Sequence, residues 1–203
     1  LMNAGTGQGT LSACFVLPLE DSMEGIMQTA HDAAMVQKFG GGTGFALSKL
    51  RPKGTHIRST HGRACGPVAV LRMLSAVSTL VTQGGKRDGA NMAVLSINHP
   101  DVFEFITSKN SEGDIHNFNI SVGMTDSYMS NVVDETILHD EVWETIINGA
   151  HKNGEPGLIF LDRVNREDYL KLINEEITAT NPCGEQPLLP NESCNLGSID
   201  VSK

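Results

Sequence analysis

Short apolar runs alternate along this chain with stretches in which apolar residues recur every three or four positions. The apolar runs predict buried strands at 11–19, 92–97, 118–122 and 157–161. The periodic stretches predict helices from Met23 to the glycines at position 40, and at 67–83, 102–106, 141–147 and 166–173, with a turn or short helix at 126–129. Such alternation is typical of βαβ units, so we expect a largely parallel sheet or barrel with its chemistry at strand ends and loops.

The first predicted helix has a recognisable start and an apolar stripe. Asp21, followed three residues later by Glu24, resembles a capping box and is predicted to cap the helix. Met23, Met27 and Met35 occur at helical spacing, and we expect these methionines to belong to the core.

Three segments, rich in glycine or in basic residues, are candidates for ligand contact. Residues 40–45 match no phosphate-binding pattern, so a tight backbone approach or a turn explains them at least as well. The polar loop 48–66 carries a third of the basic residues, which suits either an anionic ligand or a solvated surface. A second basic, glycine-rich loop spans 84–91.

The segment from Asn181 to Pro187 concentrates reactive groups. An amide (Asn181) lies two residues before the thiol of Cys183, and a carboxylate (Glu185) lies two residues after it. If this segment is extended, all three side chains face the same side. In the alternative interpretation Cys183 is a small buried hydrophobe, although a carboxylate on the same face would then be costly to bury. Spacing alone leaves both interpretations open.

Composition narrows the class of protein. The 203 residues have a formal net charge of −9 and are 39% hydrophobic and 19% charged, which fits one large domain or a piece of a larger one. The acidic balance argues against sequence-independent binding of nucleic acid, although a phosphate needs only a few local donors. We find no predicted membrane span and no signal peptide.

The cysteines predict a redox or catalytic role. Four of them, at positions 14, 65, 183 and 194, are too few and too scattered for a secreted disulfide scaffold. The sequence has no C-x-x-C pair and no histidine at metal-ligand spacing near the cysteines, so we do not expect a structural zinc site. A reducing, cytoplasmic setting fits best, and there a cysteine pair is more often catalytic than structural. Cys65 has no acidic or amide neighbour and is predicted to be a packing residue.

Five ordered stretches resemble the catalytic subunit of ribonucleotide reductase, most closely the class II, adenosylcobalamin-dependent type. They lie at 1–5, 11–14, 40–44, 84–92 with 99–101, and 180–188 with 192–198. Asn-Pro-Cys-Gly-Glu alone is suggestive, whereas the ordered set with three cysteines in matching places is highly specific.

The resemblance implies roles for the matching residues. Cys183 corresponds to the thiyl-radical residue that removes the 3′ hydrogen of the ribose, Glu185 to the base for the 3′-hydroxyl, and Asn181 to a ligand of the ribose hydroxyls. Cys14 and Cys194 correspond to the dithiol that supplies reducing equivalents and ends as a disulfide. Substrate contacts are implied for Ser12, Ala13, Asn181 and Gly184.

The same resemblance implies partners. These are a ribonucleoside di- or triphosphate substrate, adenosylcobalamin, a thioredoxin- or glutaredoxin-type reductant, and a deoxynucleoside triphosphate effector bound near a subunit contact. The resemblance is also compatible with a homodimer. Effector contacts are implied for Asp21, Ser22, Arg51, Arg58, Lys86 and Arg87.

The family fold is a ten-stranded α/β barrel with the radical cysteine on a central finger loop. Residues 1–203 would form a single catalytic-domain fragment: roughly the first half of the barrel, with parallel strands and outer helices, and the finger. We expect this fragment to be inactive alone, because the family's later phosphate-binding segment and C-terminal cysteine pair have no counterpart.

Three alternatives remain at this point. A class I reductase would take its radical from a diiron partner subunit. A non-catalytic nucleotide-binding module would not bring Cys14 and Cys194 together. A glycyl-radical enzyme would need fewer thiols, so these two cysteines weigh against it.

Overall fold

A computed structural model describes residues 3–82, 89–111, 113, 115–133, 140–167 and 176–202. The strands in these ranges are β1 (Cys14–Leu17), β2 (Gly42–Ala46), β3 (Asn91–Ser96), β4 (Phe118–Met124), β5 (Gly157–Phe160), β6 (Ala179–Thr180), β7 (Pro187–Leu188) and β8 (Ser193–Cys194). The helices are α1 (Met23–Lys38), α2 (Pro67–Thr82), α3 (Val102–Thr107), α4 (Asp126–Val133), α5 (Glu141–Asn153) and α6 (Leu161–Arg166).

Five strands form a parallel sheet that positions the site. The order is β5-β4-β3-β2-β1-β8, in which β1 to β5 are parallel and β8 is an antiparallel edge strand. The short strands β6 and β7 pair separately as an antiparallel hairpin. This arrangement confirms the predicted α/β class with parallel strands and outer helices. In the described residues the sheet is open, as half of a barrel would be.

The two faces of the sheet carry different residues because side chains alternate along a strand. Phe45, Leu95 and Ile120 pack on one face with α1, α2, α3 and α5 in the main core. Val16 and Val94 lie on the opposite, inner face, in a smaller cluster that includes the hairpin. The helices therefore cover one face and leave the inner face for the hairpin.

Helix α1 begins at Met23 as predicted, but its N-cap lies one residue later than the sequence suggested. Ser22 is the N-cap, and its Oγ accepts a hydrogen bond from the Gly25 N–H at 3.0 Å. The prediction that Asp21 caps this helix is wrong, because the Asp21 carboxylate accepts from Arg51 Nε at 2.7 Å instead. Ser22 still satisfies one of the N–H groups that every helix start leaves without an intrahelical partner.

The methionines of α1 face solvent, so their assignment to the core is wrong. Met23 is 69% exposed and Met27 is 54% exposed. The buried positions of the helix are Thr29, Ala30, Ala33 and Gln37. Small residues face the sheet here because they let the helix approach it closely, and the longer methionine side chains form an apolar outer stripe.

A buried polar network joins α1 to the strand starts beneath the hairpin tip. Gln37 Nε2 donates to Thr43 Oγ1 (3.1 Å) and to Asn91 Oδ1 (2.8 Å). Asn91 Nδ2 in turn donates to Ser78 Oγ on α2 at 3.0 Å. Because buried polar groups are costly when unpaired, this network fixes the starts of β2 and β3 against both helices.

Most predicted elements are present, although several of their bounds differ. Residues 42–46 form strand β2 at the centre of the sheet, which the glycines had concealed. The strand predicted at 157–161 ends at Phe160, and Leu161 begins α6. Of the helix predicted at 166–173, Arg166 closes α6 and positions 168–173 lie outside the described residues. Within the described ranges, no helix is long and apolar enough to cross a membrane.

Candidate active site

Cys183 lies at the tip of the β6–β7 hairpin. The tip, residues 181–186, is closed by a turn in which the Gly184 N–H donates to the Asn181 carbonyl at 3.1 Å. Gly184 has φ = 83°, a left-handed conformation that any residue with a Cβ adopts only under strain. The glycine after Cys183 is thus required by the turn.

Asn181 anchors the tip. Its backbone N–H donates to the Gln186 carbonyl, and its Oδ1 accepts from the Gln186 N–H, both at 3.0 Å. Asn181 is fully buried, whereas Cys183 and Glu185 are exposed. The expectation of an extended segment is therefore wrong, because the turn at Gly184 interrupts the alternation.

The hairpin lies in direct contact with the backbone of β2. A Cβ on Gly44 would stand 1.8 Å from the Thr180 carbonyl oxygen, and one on Gly42 would stand 2.5 Å from Pro182 Cγ. No side chain fits at either position without moving the hairpin. The tight backbone approach predicted for this glycine-rich segment is confirmed.

Two asparagine side chains hold the hairpin from other elements. Asn119 on β4 donates from Nδ2 to the Pro182 carbonyl at 2.8 Å. Asn165 on α6 donates to the Ile177 carbonyl (2.9 Å) and accepts from the Ile177 N–H (2.8 Å), as a neighbouring strand would. Tip and stem are therefore fixed separately.

Cys14 and Cys194, from opposite ends of the chain, meet across the sheet. They are directly opposite each other in the antiparallel pairing of β1 with β8. Opposed residues in such a pair have Cα atoms about 4.5–5.5 Å apart, within the range of about 4.4–6.8 Å that a disulfide needs. No disulfide joins them in this structure. Asn181 Nδ2 donates to Cys14 Sγ at 3.9 Å, which connects the pair to the tip.

The surroundings of Cys194 keep its thiol protonated. Burial raises the pKa of Cys194 to about 11, and the neighbouring Cys14 side chain adds to the increase. Glu185 and Cys183 act in the same direction, so both lie close enough to influence the charge on Cys194. Since an ordinary thiol has a pKa of about 8.5, the Cys194 side chain remains a thiol at neutral pH and can give up hydrogen as well as electrons.

Two of the residues predicted to bind substrate lie beside the cysteine pair. Ser12 Oγ accepts from Ser193 Oγ at 3.0 Å. Ala13 is buried, and its N–H donates to the Cys194 carbonyl at 3.1 Å. Gly184 lies in the hairpin tip, next to Cys183. Their contacts with substrate stay a prediction.

Comparison with known proteins identifies the family. The family model described as "Ribonucleotide reductase, barrel domain" matches residues 12–139 and 130–203. The chain belongs to the ribonucleotide reductase family. The Vitamin B12-dependent ribonucleoside-diphosphate reductase of Thermoplasma acidophilum is 50% identical over 219 residues, covering all of this chain and 28% of that protein. The protein of the same name from Mycobacterium tuberculosis strain CDC 1551 is 46% identical, covering all of this chain and 32% of its own length.

A solved structure supports the ribonucleotide reductase fold. The Actinobacillus ureae class Id ribonucleotide reductase alpha subunit superimposes with a TM-score of 0.78 at 24% identity, over 91% of this chain and 34% of that subunit. At this identity the likeness concerns the fold alone. The chain spans about a third or less of each of these proteins.

A cavity at the start of α1 is lined by several of the predicted effector residues. Its volume is about 450 Å³, and Asp21, Ser22 and Arg51 are among its lining residues. Arg51 donates from Nε to the Asp21 carboxylate (2.7 Å) and from Nη2 to the Asp21 carbonyl (3.2 Å). The structure therefore gathers these three residues at one cavity, with the Arg51 guanidinium already paired.

Three further residues, Arg58, Lys86 and Arg87, were predicted to contact the effector. Arg58 is exposed on the same loop, between the lining residues Ile57 and Ser59. Lys86 and Arg87 lie outside the described residues. Cys65 is exposed and lines this cavity, so its assignment as a packing residue is wrong.

Asn119 and Asn165 are the residues that sequence reasoning missed. The alternation of Phe118, Asn119, Ile120 and Ser121 could have revealed Asn119, because it separates an apolar face of β4 from a polar one. No periodic signal marks Asn165. Among the described residues, no cluster of three or more His, Cys, Asp or Glu side chains could hold a metal ion.

Proposed function

We propose that this chain carries the reactive thiols of an adenosylcobalamin-dependent ribonucleotide reductase, which converts ribonucleotides to 2′-deoxyribonucleotides. The pairing of Cys14 opposite Cys194, with the Cys183 tip close to both, is the observation that carries this proposal. The names of the relatives from Thermoplasma and Mycobacterium support a ribonucleoside diphosphate as the substrate.

The chemistry divides among the thiols and the carboxylate. A thiyl radical on Cys183 removes the 3′ hydrogen atom of the ribose, and Glu185 accepts the 3′-hydroxyl proton. The C2′–O bond breaks and the 2′-hydroxyl leaves as water with a proton from the Cys14–Cys194 pair. The pair supplies two electrons in all, delivers its second hydrogen to the 2′ carbon to form the new C2′–H bond, and closes to a disulfide. Cys183 then returns its hydrogen atom to the 3′ carbon, and Glu185 returns the proton to the 3′ oxygen. The protonated state of Cys194 suits this role, because the pair must supply protons and electrons together.

Adenosylcobalamin, when bound, supplies the radical that converts the Cys183 thiol to a thiyl. Cys183 is exposed at the hairpin tip on the open inner face of the sheet, so its side chain is accessible to a large cofactor. The protein's part is to hold the thiol between cofactor and ribose, which is an orientation problem.

Regulation and assembly are proposed for the opposite, helical side. The cavity of Asp21, Ser22 and Arg51 is the candidate site for a deoxynucleoside triphosphate effector, with Arg58, Lys86 and Arg87 as further contacts. The exposed methionines of α1 form an apolar stripe that a second copy of the chain would cover in a homodimer. A thioredoxin- or glutaredoxin-type protein would reduce the disulfide after each turnover.

The alternatives are less well supported. A non-catalytic nucleotide-binding module gives no reason for Cys14 to lie opposite Cys194. The identities of 50% and 46% to proteins named Vitamin B12-dependent favour class II over a class I enzyme with a diiron partner.

The test uses the complete protein that contains this chain. Purified enzyme with cytidine diphosphate, adenosylcobalamin and dithiothreitol is expected to form deoxycytidine diphosphate, measured by chromatography. Cys183→Ser should abolish the product, and Cys14→Ser or Cys194→Ser should prevent turnover. Cys65→Ser, assayed without effector, is the matched removal of a thiol elsewhere and should retain activity. Product formation by Cys183→Ser, or activity that needs a partner subunit and no adenosylcobalamin, would refute the proposal.

A further inference from the structure

We propose that Asn119 is a positioning residue for Cys183, an inference that rests on the proposed function. The Asn119 Nδ2 group donates to the Pro182 carbonyl at 2.8 Å. That carbonyl belongs to the peptide unit that joins Pro182 to Cys183, so Asn119 holds the backbone immediately before the reactive thiol.

The sequence of the tip explains why a side chain is needed there. Proline has no N–H, so the carbonyl is the one backbone hydrogen-bonding group that Pro182 offers. Pro182 also lies beyond the last residues of β6, where the hairpin pairing has ended. The Pro182 carbonyl therefore needs a donor from another element, and Asn119 reaches it from β4.

Strands β2, β3 and β4 contact the part of the tip around Cys183, and among these contacts Asn119 provides the directional one. Gly42 on β2 lies under the Pro182 ring, and Met92 Cε on β3 would be 3.5 Å from a Cβ on Gly184. These apolar contacts limit how deep the tip sits, but they are not directional. A hydrogen bond has a preferred angle at both donor and acceptor, so the Asn119 bond sets the orientation of the peptide from which Cys183 projects.

Orientation matters at this residue more than elsewhere in the chain. The Cys183 sulfur must accept a radical on one side and meet the ribose 3′ hydrogen on the other, and a misplacement of ~1 Å can cost about 10²-fold in rate. Asn119 does not contact the ribose in this proposal. Its loss should therefore lower kcat and leave KM nearly unchanged.

The test compares Asn119→Ala with Asn117→Ala in the complete protein. Asn117 lies just before the same strand but points to the helical side, where its Nδ2 donates to the Ser75 carbonyl at 2.8 Å. We expect Asn119→Ala to lower kcat at least tenfold with KM within about twofold. Asn117→Ala should lower the melting temperature while kcat per folded enzyme stays at the wild-type value.

A second measurement needs no turnover. The rate at which iodoacetamide alkylates Cys183, resolved by peptide mass spectrometry, should rise severalfold in Asn119→Ala because the tip is no longer fixed, while alkylation of Cys65 is unchanged. Wild-type kcat and wild-type alkylation in Asn119→Ala would overturn the inference, and so would parallel losses in both asparagine variants. If the wild-type enzyme reduces no ribonucleotide, the proposed function fails and alkylation alone decides the position of Cys183.

Discussion

Replacing Gly44 by alanine tests whether the backbone contact between β2 and the hairpin sets the position of the reactive tip. The new Cβ would stand 1.8 Å from the Thr180 carbonyl oxygen. Since a carbon and a carbonyl oxygen rest at about 3.3 Å or more, something must move by about 1.5 Å. Strand β2 is hydrogen-bonded to β1 and β3 on its two sides, so we expect the hairpin to move.

Two free-energy terms of opposite sign and unequal size determine the stability of Gly44→Ala. Alanine in a strand interior is favoured over glycine by about 0.5–1 kcal/mol, whereas overpacking costs about 1–3 kcal/mol. Because the new Cβ would clash with backbone rather than with a flexible side chain, the overpacking cost should exceed the gain from replacing glycine. We expect Gly44→Ala to lose about 1–2 kcal/mol of unfolding free energy in urea denaturation. Its kcat should fall by about 10²-fold, because the displacement moves Cys183.

Gly123→Ala is the matched control for Gly44→Ala. It lies on the same inner face, and its Cβ would stand 2.4 Å from Leu161 Cδ1, the end of a side chain that can rotate away. We expect this variant to keep wild-type kcat and to change stability by less than about 1 kcal/mol. The reasoning is refuted if Gly44→Ala keeps wild-type kcat, or if a crystal structure finds Thr180 displaced by less than about 0.5 Å.

Three further predictions concern the thiol, the hairpin stem and a buried ion pair. Because the pKa of Cys194 is raised to about 11, its thiolate forms only as the pH approaches 11. The rate of iodoacetamide labelling of Cys194 should therefore reach half its maximum near that pH. A midpoint near the ordinary thiol pKa of about 8.5 would contradict this prediction. Asn165→Leu removes both hydrogen bonds to Ile177, and urea denaturation should show a loss of about 1–3 kcal/mol, with a lower kcat because the stem is released. Lys109→Met leaves the mostly buried Glu155 carboxylate without its partner and should cost about 3–5 kcal/mol, whereas adding Glu155→Gln should recover part of that loss.

The fold was predictable wherever side-chain periodicity dominates. The helix from Met23 and the strand at 92–97 were found because apolar residues repeat at the helical spacing or occur in a short buried run. Strand β2 was missed for a physical reason. Gly42 and Gly44 have low strand propensity in isolation, but they are needed where another backbone lies against the sheet, and that backbone comes from the far end of the chain.

The site was predictable in its residue types but not in its local geometry. Cys14, Cys183 and Cys194 could be grouped from the resemblance, and the structure brings them to one place. The extended conformation expected for the tip was wrong, because the positive φ of Gly184 makes a turn that spacing alone does not reveal. Alternation along β4 could place Asn119 on the polar face, but its role could not be assigned from the sequence, since that role depends on a contact with a hairpin about sixty residues further along the chain.

The three thiols are positioned by two sets of contacts that meet at the Asn181 amide. Pairing of β1 with β8 places Cys14 opposite Cys194, and Asn181 of the hairpin tip contacts Cys14 Sγ. The glycines of β2 and the Asn119 amide place Cys183 without any contribution from β8. In the proposed reaction the pair changes its covalent state in every turnover, from dithiol to disulfide and back, whereas Cys183 must keep one position. Because strand pairing holds the pair and the contacts of β2 and Asn119 hold Cys183, we expect movement of the two sulfurs during disulfide formation to displace Cys183 little.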